Sequence, residues 1–301
     1  MSNVLGRGEK IFQIIIHIFL TILAICAILP VAILVIGSVT GEEELIVSGY
    51  SLIPKTFSLD AYKYLFYKAS DILRAYGITI FITVFGTALS LVITPLLAYP
   101  LSRKDFKARN VIAFMVFFTM LFNGGIVPSY IMWTQIFHVK NTIWALIFPG
   151  FLMSGFNVIL MKNYFSQNIP PEMLEAAKMD GAGEFRIFFK IVLPLSLPIM
   201  ATIGLFVGIG YWNDWTNGLY YVTNSELYSL QNLLNRILQD VQFLSSSTVS
   251  QSAGSAASMT QMPSVSIRMA ISVIGILPIV VLYPFFQKYF VKGITVGAVK
   301  G

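Results

Sequence analysis

The stretch IFQIIIHIFLTILAICAILPVAILVI, residues 11–36, indicates the fold class of this chain. It contains no Asp, Glu, Lys or Arg. A helix of about 20 apolar residues crosses the ~30 Å hydrocarbon core of a bilayer. A secretory signal peptide has an apolar segment of only about 7–15 residues, so this longer run predicts a retained membrane-spanning helix. The single cysteine, Cys26, lies inside it, which excludes a disulfide framework and a Cys/His zinc site.

The composition of the whole chain agrees with a membrane protein. Hydrophobic residues make up 56% of the 301 residues, charged residues only 11%, and the mean hydropathy is +0.76. A soluble domain carries about 25% charged residues, so a soluble enzyme, a secreted domain and a disordered tail are excluded. With the first run counted, the sequence predicts an all-α polytopic membrane protein with six spans in a single membrane domain over residues 1–301. The predicted spans are Ile11–Ile36, Tyr76–Leu101, Val111–Phe137, Thr142–Met161, Phe188–Trp212 and Ile267–Phe290.

The basic residues predict the orientation. The net charge of +6 comes from residues between the apolar runs, which favours membrane orientation over nucleic-acid binding. The short loop Ser102–Asn110 alone carries Arg103, Lys104, Lys107 and Arg109. Because short basic loops stay in the cytoplasm, both termini are expected there. Residues 37–75 and 213–266 then form outer loops, and 162–187 a cytoplasmic loop.

Ionisable residues and nucleotide motifs are missing from the predicted spans. Apart from residues at the span ends, only His17 is ionisable, so a proton relay or ion-coupling group is not indicated. The sequence has no G-x-x-x-x-G-K-[ST] motif, and ATP with its Mg²⁺ is expected on a partner subunit. Two histidines and one cysteine give no plausible nucleophile–base pair, so the chain is expected to be neither an enzyme nor a metal protein.

The cytoplasmic loop predicts a short helix, a tight turn and a second helix. It reads PEMLEAAKMDGAGE over residues 171–184. Pro171 suits the first helical turn, and Glu172 and Glu175 favour the positive helix start. Gly181 ends the helix, and a second helical segment begins at Glu184. Taken alone, these residues also fit an ordinary surface loop.

The same string carries a specific resemblance. Glu175-Ala176-Ala177, Asp180-Gly181-Ala182 and Leu193-Pro194 resemble the EAA loop of binding-protein-dependent ABC importer permeases, where the loop docks into the ATPase subunit. The C-terminal residues 293–301, GITVGAVKG, resemble the tail of maltose-type carbohydrate permeases. The long loop before the last span is closer to permeases for complex oligosaccharides in Gram-positive bacteria. The resemblance implies an ATPase-coupling site made of Glu175, Ala176, Ala177, Asp180, Gly181, Gly297, Lys300 and Gly301.

Partners and mechanism follow from the resemblance. It implies a second permease subunit (a heterodimer, with a homodimer as the alternative), two cytoplasmic ATPase subunits, an extracellular solute-binding lipoprotein, membrane lipid, and a sugar or oligosaccharide as substrate. Two alternatives stay open at this point: a permease for amino acids or other small solutes, and a membrane scaffold without transport. The identity, length and linkage of a glycan do not follow from the sequence.

Two polar stretches are candidates for the substrate path. Val111–Phe122 is only about 18 Å long as a helix, and Asn123, Gly124 and Gly125 interrupt it before Pro128. Broken backbone at mid-depth often marks the path in transporters, although a packed proline kink is the alternative. The second stretch follows the fifth span and comprises Trp212, Asn213, Asp214 and Trp215, with an aromatic belt at the membrane interface as the alternative reading. Asn157 is a weaker candidate, since it also suits helix packing.

Two further features lie in the large outer loop. Residues 226–238 place five apolar side chains on one face of an amphipathic helix: Leu230, Leu233, Leu234, Ile237 and Leu238. The Ser/Ala/Gly-rich residues from 245 to 261 are typical of a flexible segment, and no function is assigned to them.

Overall fold

The computed structural model describes residues 7–245 and 264–298. Within these ranges the chain is helical and has no strand, only one isolated antiparallel bridge between Thr40 and Phe57. The α-helices are α1 Arg7–Ser38, α2 Glu42–Val47, α3 Asp60–Tyr67, α4 Ala69–Ser102, α5 Arg109–Leu121, α6 Ile126–Ile131, α7 Gly155–Asn168, α8 Pro171–Met179, α9 Glu184–Ile187, α10 Leu193–Leu195, α11 Leu197–Trp212, α12 Thr216–Tyr221, α13 Leu230–Ser245 and α14 Ser264–Ala298. Short 3₁₀ or π turns cover Met132–Ile136, Ile143–Leu146, Phe188–Val192 and Ser225–Leu227.

Two helices, α1 and α4, are long and apolar enough to cross a membrane without a break. Two further pairs pass the same test only when joined across a sharp bend. Residues Arg109–Leu121 and Ile126–Ile136 meet at 114°, and Glu184–Leu195 and Leu197–Trp212 meet at 79°. The described residues therefore hold two spans, or up to four if each bent pair is one span, whereas the sequence predicted six. The described apolar part of α14, Val265–Val281, is shorter.

The predicted span Thr142–Met161 is wrong as a single helix. The structure has a 3₁₀ turn at Ile143–Leu146, irregular backbone over residues 147–154, and only then the start of α7. Pro149 and Gly150 account for the break, because proline lacks an N–H donor and Gly150 has a φ of +92°. α7 then continues to Asn168, seven residues beyond the predicted end.

The chain divides into two compact units. The first comprises Met1–Ala69 and Ile237–Pro278. In it, residues 8–31 of α1 are exposed along their whole length, as expected for a helix that faces lipid or another subunit. Glu44 accepts hydrogen bonds from the Lys55 and Thr56 backbone and from the Thr56 hydroxyl, and so closes the loop between α2 and α3.

Glu42 fixes the start of α14 in the same unit. Its carboxylate accepts hydrogen bonds from the backbone N–H groups of Val265 and Ser266 at 2.8 and 2.9 Å, and from the Ser266 hydroxyl at 2.8 Å. The first N–H groups of a helix have no partner inside it, and a negative charge there interacts favourably with the helix dipole. These hydrogen bonds join residues that lie 223 and 224 positions apart in the chain.

The second unit comprises Ser70–Arg236 and Ile279–Gly301. Its larger buried cluster joins α4, α7, α8, α9 and α11, and its fully buried members include Ala98, Met161, Ile187, Val192, Ile203 and Tyr211. Tyr211 donates a hydrogen bond of 2.7 Å to the carbonyl of Ile147. The amphipathic helix is confirmed as α13, with Leu230, Leu234 and Ile237 buried, but it begins at Leu230 because a 3₁₀ turn precedes it.

Candidate functional site

The predicted helix–turn–helix in the cytoplasmic loop is confirmed as α8, a turn and α9. Pro171 is the first residue of α8, Glu172 lies in its first turn and Lys178 in its last. Proline at this position loses no hydrogen bond, and the two charges complement the helix dipole. α9 begins at Glu184 and continues through the π turn Phe188–Val192 toward α10.

Gly181 turns the chain between the two helices. Its φ is +77°, which L-residues with a Cβ rarely adopt. The N–H of Ala182 bonds to the carbonyl of Ala177 and the N–H of Gly181 to that of Lys178, each at 3.0 Å. This pair of bonds is a Schellman motif, in which carbonyls at the helix end regain partners. A Cβ on Gly181 would meet nothing within 4 Å, so only backbone conformation demands glycine here.

The elbow formed by residues 171–187, called the coupling elbow below, has one buried and one exposed side. Leu174, Ile187 and the following Phe188 are buried in the large cluster of the second unit. On the other side, Glu175, Ala176, Asp180 and Gly181 are exposed, whereas Ala177 is half-buried and packs against that cluster. Met179 and Phe185 are 84% and 77% exposed, which makes this side partly apolar.

A network of charges joins the coupling elbow to the C-terminal end of α4. Lys178 Nζ lies 2.7 Å from Glu184 Oε1 and 3.1 Å from Asp105 Oδ2. Asp105 also accepts two bonds from the guanidinium of Arg103, and the hydroxyl of Tyr99 donates to Glu184 Oε2 at 2.7 Å. Sequence reasoning missed this network, because its partners lie 73 and 85 positions apart and nothing local pairs them.

The network shifts the pKa values of the groups in it. Hydrogen bonds from Arg103, and then from Lys178, hold the pKa of the Asp105 carboxyl well below its ordinary range. The hydrogen bond to Glu184, followed by that to Asp105, raises the pKa of Lys178. Both groups are therefore charged at neutral pH.

A cavity of about 370 Å³ lies beside the network. Its apolar lining consists of Leu96, Pro100, Phe106, Phe185 and Phe188, and its polar lining of Tyr99, Arg103, Asp105 and Glu184. Phe185 therefore belongs both to the wall of this cavity and to the exposed side of the coupling elbow.

The glycine break falls where the sequence predicted it. α5 ends at Leu121, and Asn123, Gly124 and Gly125 are exposed between it and α6. Gly125 has a φ of +83°, its N–H donates to Asn123 Oδ1 at 2.8 Å, and its carbonyl accepts from the Ser129 hydroxyl. The Asn123 side chain thus stabilises its own turn.

The residues after α11 separate into buried and exposed ones. Trp212 and Asp214 are only 6% and 5% exposed, whereas Asn213 and Trp215 are exposed. Asp214 Oδ1 accepts hydrogen bonds from the N–H groups of Thr216 and Asn217, both at 3.1 Å, and so caps α12. Burial raises the pKa of Asp214. Asn157 is also buried, in α7.

The two candidate segments of the substrate path form different hydrogen bonds. Asn123 bonds within its own turn, and the Asp214 side chain bonds to the first residues of α12.

Of the tail residues, Gly297 lies near the end of α14, and Lys300 and Gly301 lie outside the described residues. The Ser/Ala/Gly-rich stretch after Ser245 also lies largely outside them.

Comparison with known proteins identifies the family. Residues 90–296 match the model of the binding-protein-dependent transport system inner membrane component. The chain belongs to this family. The matched region includes α8, Gly181 and α9, and family membership makes the protein a membrane component of a transport system rather than an enzyme. A membrane scaffold without transport is therefore not favoured.

Relatives of similar length support the assignment. The chain is 40% identical over 294 residues to the polygalacturonan/rhamnogalacturonan transport system permease protein YtcP of Bacillus subtilis (strain 168), covering 97% of this chain and 99% of the relative. It is 40% identical over 297 residues to the protein LplC of the same organism, covering 98% and 97%.

A solved structure agrees with both. A chain from a bacterial ABC transporter involved in the import of the acidic polysaccharide alginate has a TM-score of 0.76 and 31% identity to this permease. The match covers 96% of this permease and all of that chain.

Proposed function

We propose that this permease forms one half of the translocation path of an ATP-driven ABC importer for a sugar or oligosaccharide. A second permease supplies the other half, two cytoplasmic ATPases drive it, and an extracellular binding lipoprotein delivers substrate. The observation that carries the proposal is the geometry of the coupling elbow. Glu175, Ala176 and Asp180 are exposed on one side of it, and the Schellman motif fixes the turn beside them. The family match over residues 90–296 and the named sugar permeases support it.

The proposed topology has six spans, both termini in the cytoplasm and one permease domain over residues 1–301. If each bent helix pair, at 114° and at 79°, is one span, the pairs add two spans to α1 and α4. The basic residues of the loop after α4, among them Arg103, favour a cytoplasmic position for that loop and for the coupling elbow. Residues 37–75 and 213–266 then face outward and meet the binding protein, and 162–187 face the ATPase.

The docking residues are proposed to be Glu175, Ala176, Ala177, Asp180 and Gly181, with Lys300 and Gly301 of the tail as secondary contacts. Small side chains at 176 and 177 let a partner backbone approach, and the carboxylates attract basic residues of the ATPase. Met179 and Phe185 add exposed apolar area, which favours burial against a partner. ATP and Mg²⁺ bind to the ATPase, and this chain binds no cofactor.

The path is proposed to run past Asn123, Gly124 and Gly125 and past Asn213 and Trp215. An exposed tryptophan offers a flat apolar face to a sugar ring, and amide groups orient its hydroxyls. Because Trp212 and Asp214 are buried, their proposed role is to hold the Asn213–Trp215 segment in position.

Acidic glycans are the proposed substrate class to test first. The printed names of one relative and of the solved transporter refer to polygalacturonan and to the acidic polysaccharide alginate. ATPase stimulation of the reconstituted complex is compared across uronic-acid oligomers, neutral oligosaccharides and amino acids. Stimulation by uronic-acid oligomers supports the proposal, stimulation by neutral glycans alone limits it to sugars, and stimulation by amino acids alone refutes the carbohydrate assignment.

Cross-linking tests the docking role. A cysteine at position 176 is placed in a variant in which Cys26 is Ser, and an oxidisable cysteine is scanned through the ATPase surface. We expect cross-links at Ala176→Cys and a much lower yield at Asn168→Cys, a control on α7 outside the coupling elbow. Failure of position 176 to reach the ATPase in any nucleotide state refutes the docking assignment.

A further inference from the structure

This inference rests on the proposed coupling role of the elbow and concerns how motion leaves it. We propose that Lys178, Glu184 and Asp105 form a positioning bridge that carries movement of α8 directly to the inner end of α4. Without the bridge, α8 is connected to the bundle by the chain itself, by the buried Leu174 and by the half-buried Ala177, which packs against the same cluster. The bridge adds a side-chain connection between α8, α9 and α4.

Glu184 is the residue at which the three helices meet. One of its carboxylate oxygens accepts from Lys178 of α8 at 2.7 Å, and the other accepts from the Tyr99 hydroxyl of α4 at 2.7 Å. Glu184 itself is the first residue of α9. A single carboxylate thus bonds to both neighbouring helices from the start of its own helix.

Asp105 makes the second connection to the same lysine. It lies three residues beyond the end of α4, bound to Arg103 and 3.1 Å from Lys178 Nζ. The Arg103 side chain is only 14% exposed, so the end of this connection is held firmly against the protein. Together with Arg103, the bridge has two cations and two carboxylates, so the charges are balanced.

Side-chain packing also aligns the end of α4 with the turn that follows α9. The rings of Tyr99 and Phe188 lie 5.3 Å apart, and Tyr99 is only 9% exposed. α4 is one helix of 34 residues, about 50 Å long, and Tyr99 lies three residues before its end. A displacement of its inner end is therefore carried along the helix rather than absorbed in a loop.

The bridge contributes little to folding. Lys178, Asp105 and Glu184 are 37%, 57% and 52% exposed, and ion pairs at such sites add little to stability because water screens them. Removing them is expected to leave the fold intact. Their arrangement across three helices is therefore better explained by positioning of the elbow than by stability.

The experiment uses the whole transporter in proteoliposomes and measures uptake and ATP hydrolysis together. The variants are Lys178→Met, Lys178→Arg, Glu184→Gln and Tyr99→Phe, with Lys190→Met as a control that removes an exposed cation outside the bridge. We expect Lys178→Met, Glu184→Gln and Tyr99→Phe to lower uptake per ATP hydrolysed by about threefold or more, and Lys178→Arg to restore it. Tyr99→Phe removes only the hydrogen bond from α4 to Glu184 and leaves the connection through Asp105 in place.

Two further readouts separate the possible causes. Melting temperatures within a few degrees of the parent, and an unchanged cross-link from position 176 to the ATPase, show that folding and docking persist. If uptake per ATP in Lys178→Met and Tyr99→Phe equals that of Lys190→Met, the bridge proposal is overturned while docking stands. Absence of the cross-link in the parent itself would instead refute the docking role on which the bridge rests.

Discussion

The ring of Tyr211 lies against the backbone of Gly86, so closely that a Cβ on residue 86 would stand 2.5 Å from Cζ of the tyrosine. Tyr211 is fully buried on α11, and its hydroxyl is bonded to the carbonyl of Ile147. It therefore has no free space into which to move. The contact with Gly86 brings α4 and α11 together. The hydrogen bond to Ile147 holds the irregular residues 147–154, which interrupt the predicted span Thr142–Met161.

Gly86→Ala is expected to destabilise the protein by about 1–3 kcal/mol, because the added methyl group overpacks a site that cannot yield. Thermal unfolding of the purified permease measures it. Gly77→Ala, on the same helix, is the matched control, since a Cβ there would meet nothing within 4 Å. Equal melting temperatures for the two variants would show that the close approach of Tyr211 is relieved at no cost.

Gly181→Ala is expected to weaken coupling, because a residue with a Cβ pays about 1–2 kcal/mol to hold a left-handed conformation. The elbow would relax, and uptake by the complex would fall while membrane insertion persisted. Gly183→Ala is the control, since Gly183 has a φ of −70° and open space around it. Uptake by the complex is measured for both variants. If Gly183→Ala lowers uptake as much as Gly181→Ala does, the prediction is contradicted.

Glu42→Ala is expected to loosen the start of α14, because three hydrogen bonds to its carboxylate are lost. Hydrogen bonds to charged groups contribute about 1.5–3 kcal/mol each when well formed, so a measurable fall in melting temperature follows. Glu43→Ala, at the exposed neighbouring position, serves as the control. Faster amide exchange at 265–267 in the Glu42 variant alone would place the effect at the helix start.

Asp214→Asn is expected to change how stability depends on pH. Burial raises the pKa of Asp214 above its ordinary value of 3.8, so the folded state favours the protonated form. Its contribution to stability is complete below pH 3.8 and is lost as the pH rises through the higher folded-state pKa. The parent should therefore lose stability relative to Asp214→Asn as the pH rises from below 3.8 through that higher pKa.

Asp60→Asn provides the opposite sign in the same titration. Lys63, and then Ser58, hydrogen-bond to Asp60 and lower its pKa, so its contribution is present above the ordinary value and is lost as the pH falls. The parent should become more stable relative to Asp60→Asn as the pH rises. Melting temperatures of all three proteins across the pH range check both signs, and parallel curves would contradict both.

Local sequence patterns anticipated the elements whose conformation depends on near neighbours. The coupling elbow formed as predicted, because Pro171 starts α8 and Gly181 ends it through bonds that span only a few residues. The break at Asn123–Gly125 was found for the same reason. α13 was found from its apolar face, although its start was placed four residues too early.

Tertiary contacts decided what the same patterns left open. A hydropathy pattern shows where apolar residues lie but not where a helix bends. The sequence therefore did not predict the 79° bend at Ser196, between Pro194 and Pro198. It also did not predict the interruption of the span 142–161. Burial separated Asp214 from its exposed neighbour Trp215, although both looked alike as path candidates.

The sequence by itself determined that the chain is a helical membrane protein with a helix–turn–helix over residues 171–187. Those features follow from apolar runs and from backbone preferences of single residues, which act over one or two helical turns. Only the tertiary structure decided that Lys178 meets Glu184 and Asp105, and that Tyr211 packs on Gly86. Such pairs depend on which helices lie side by side, and the free energy that selects this arrangement is shared among all buried contacts rather than stored in any one segment.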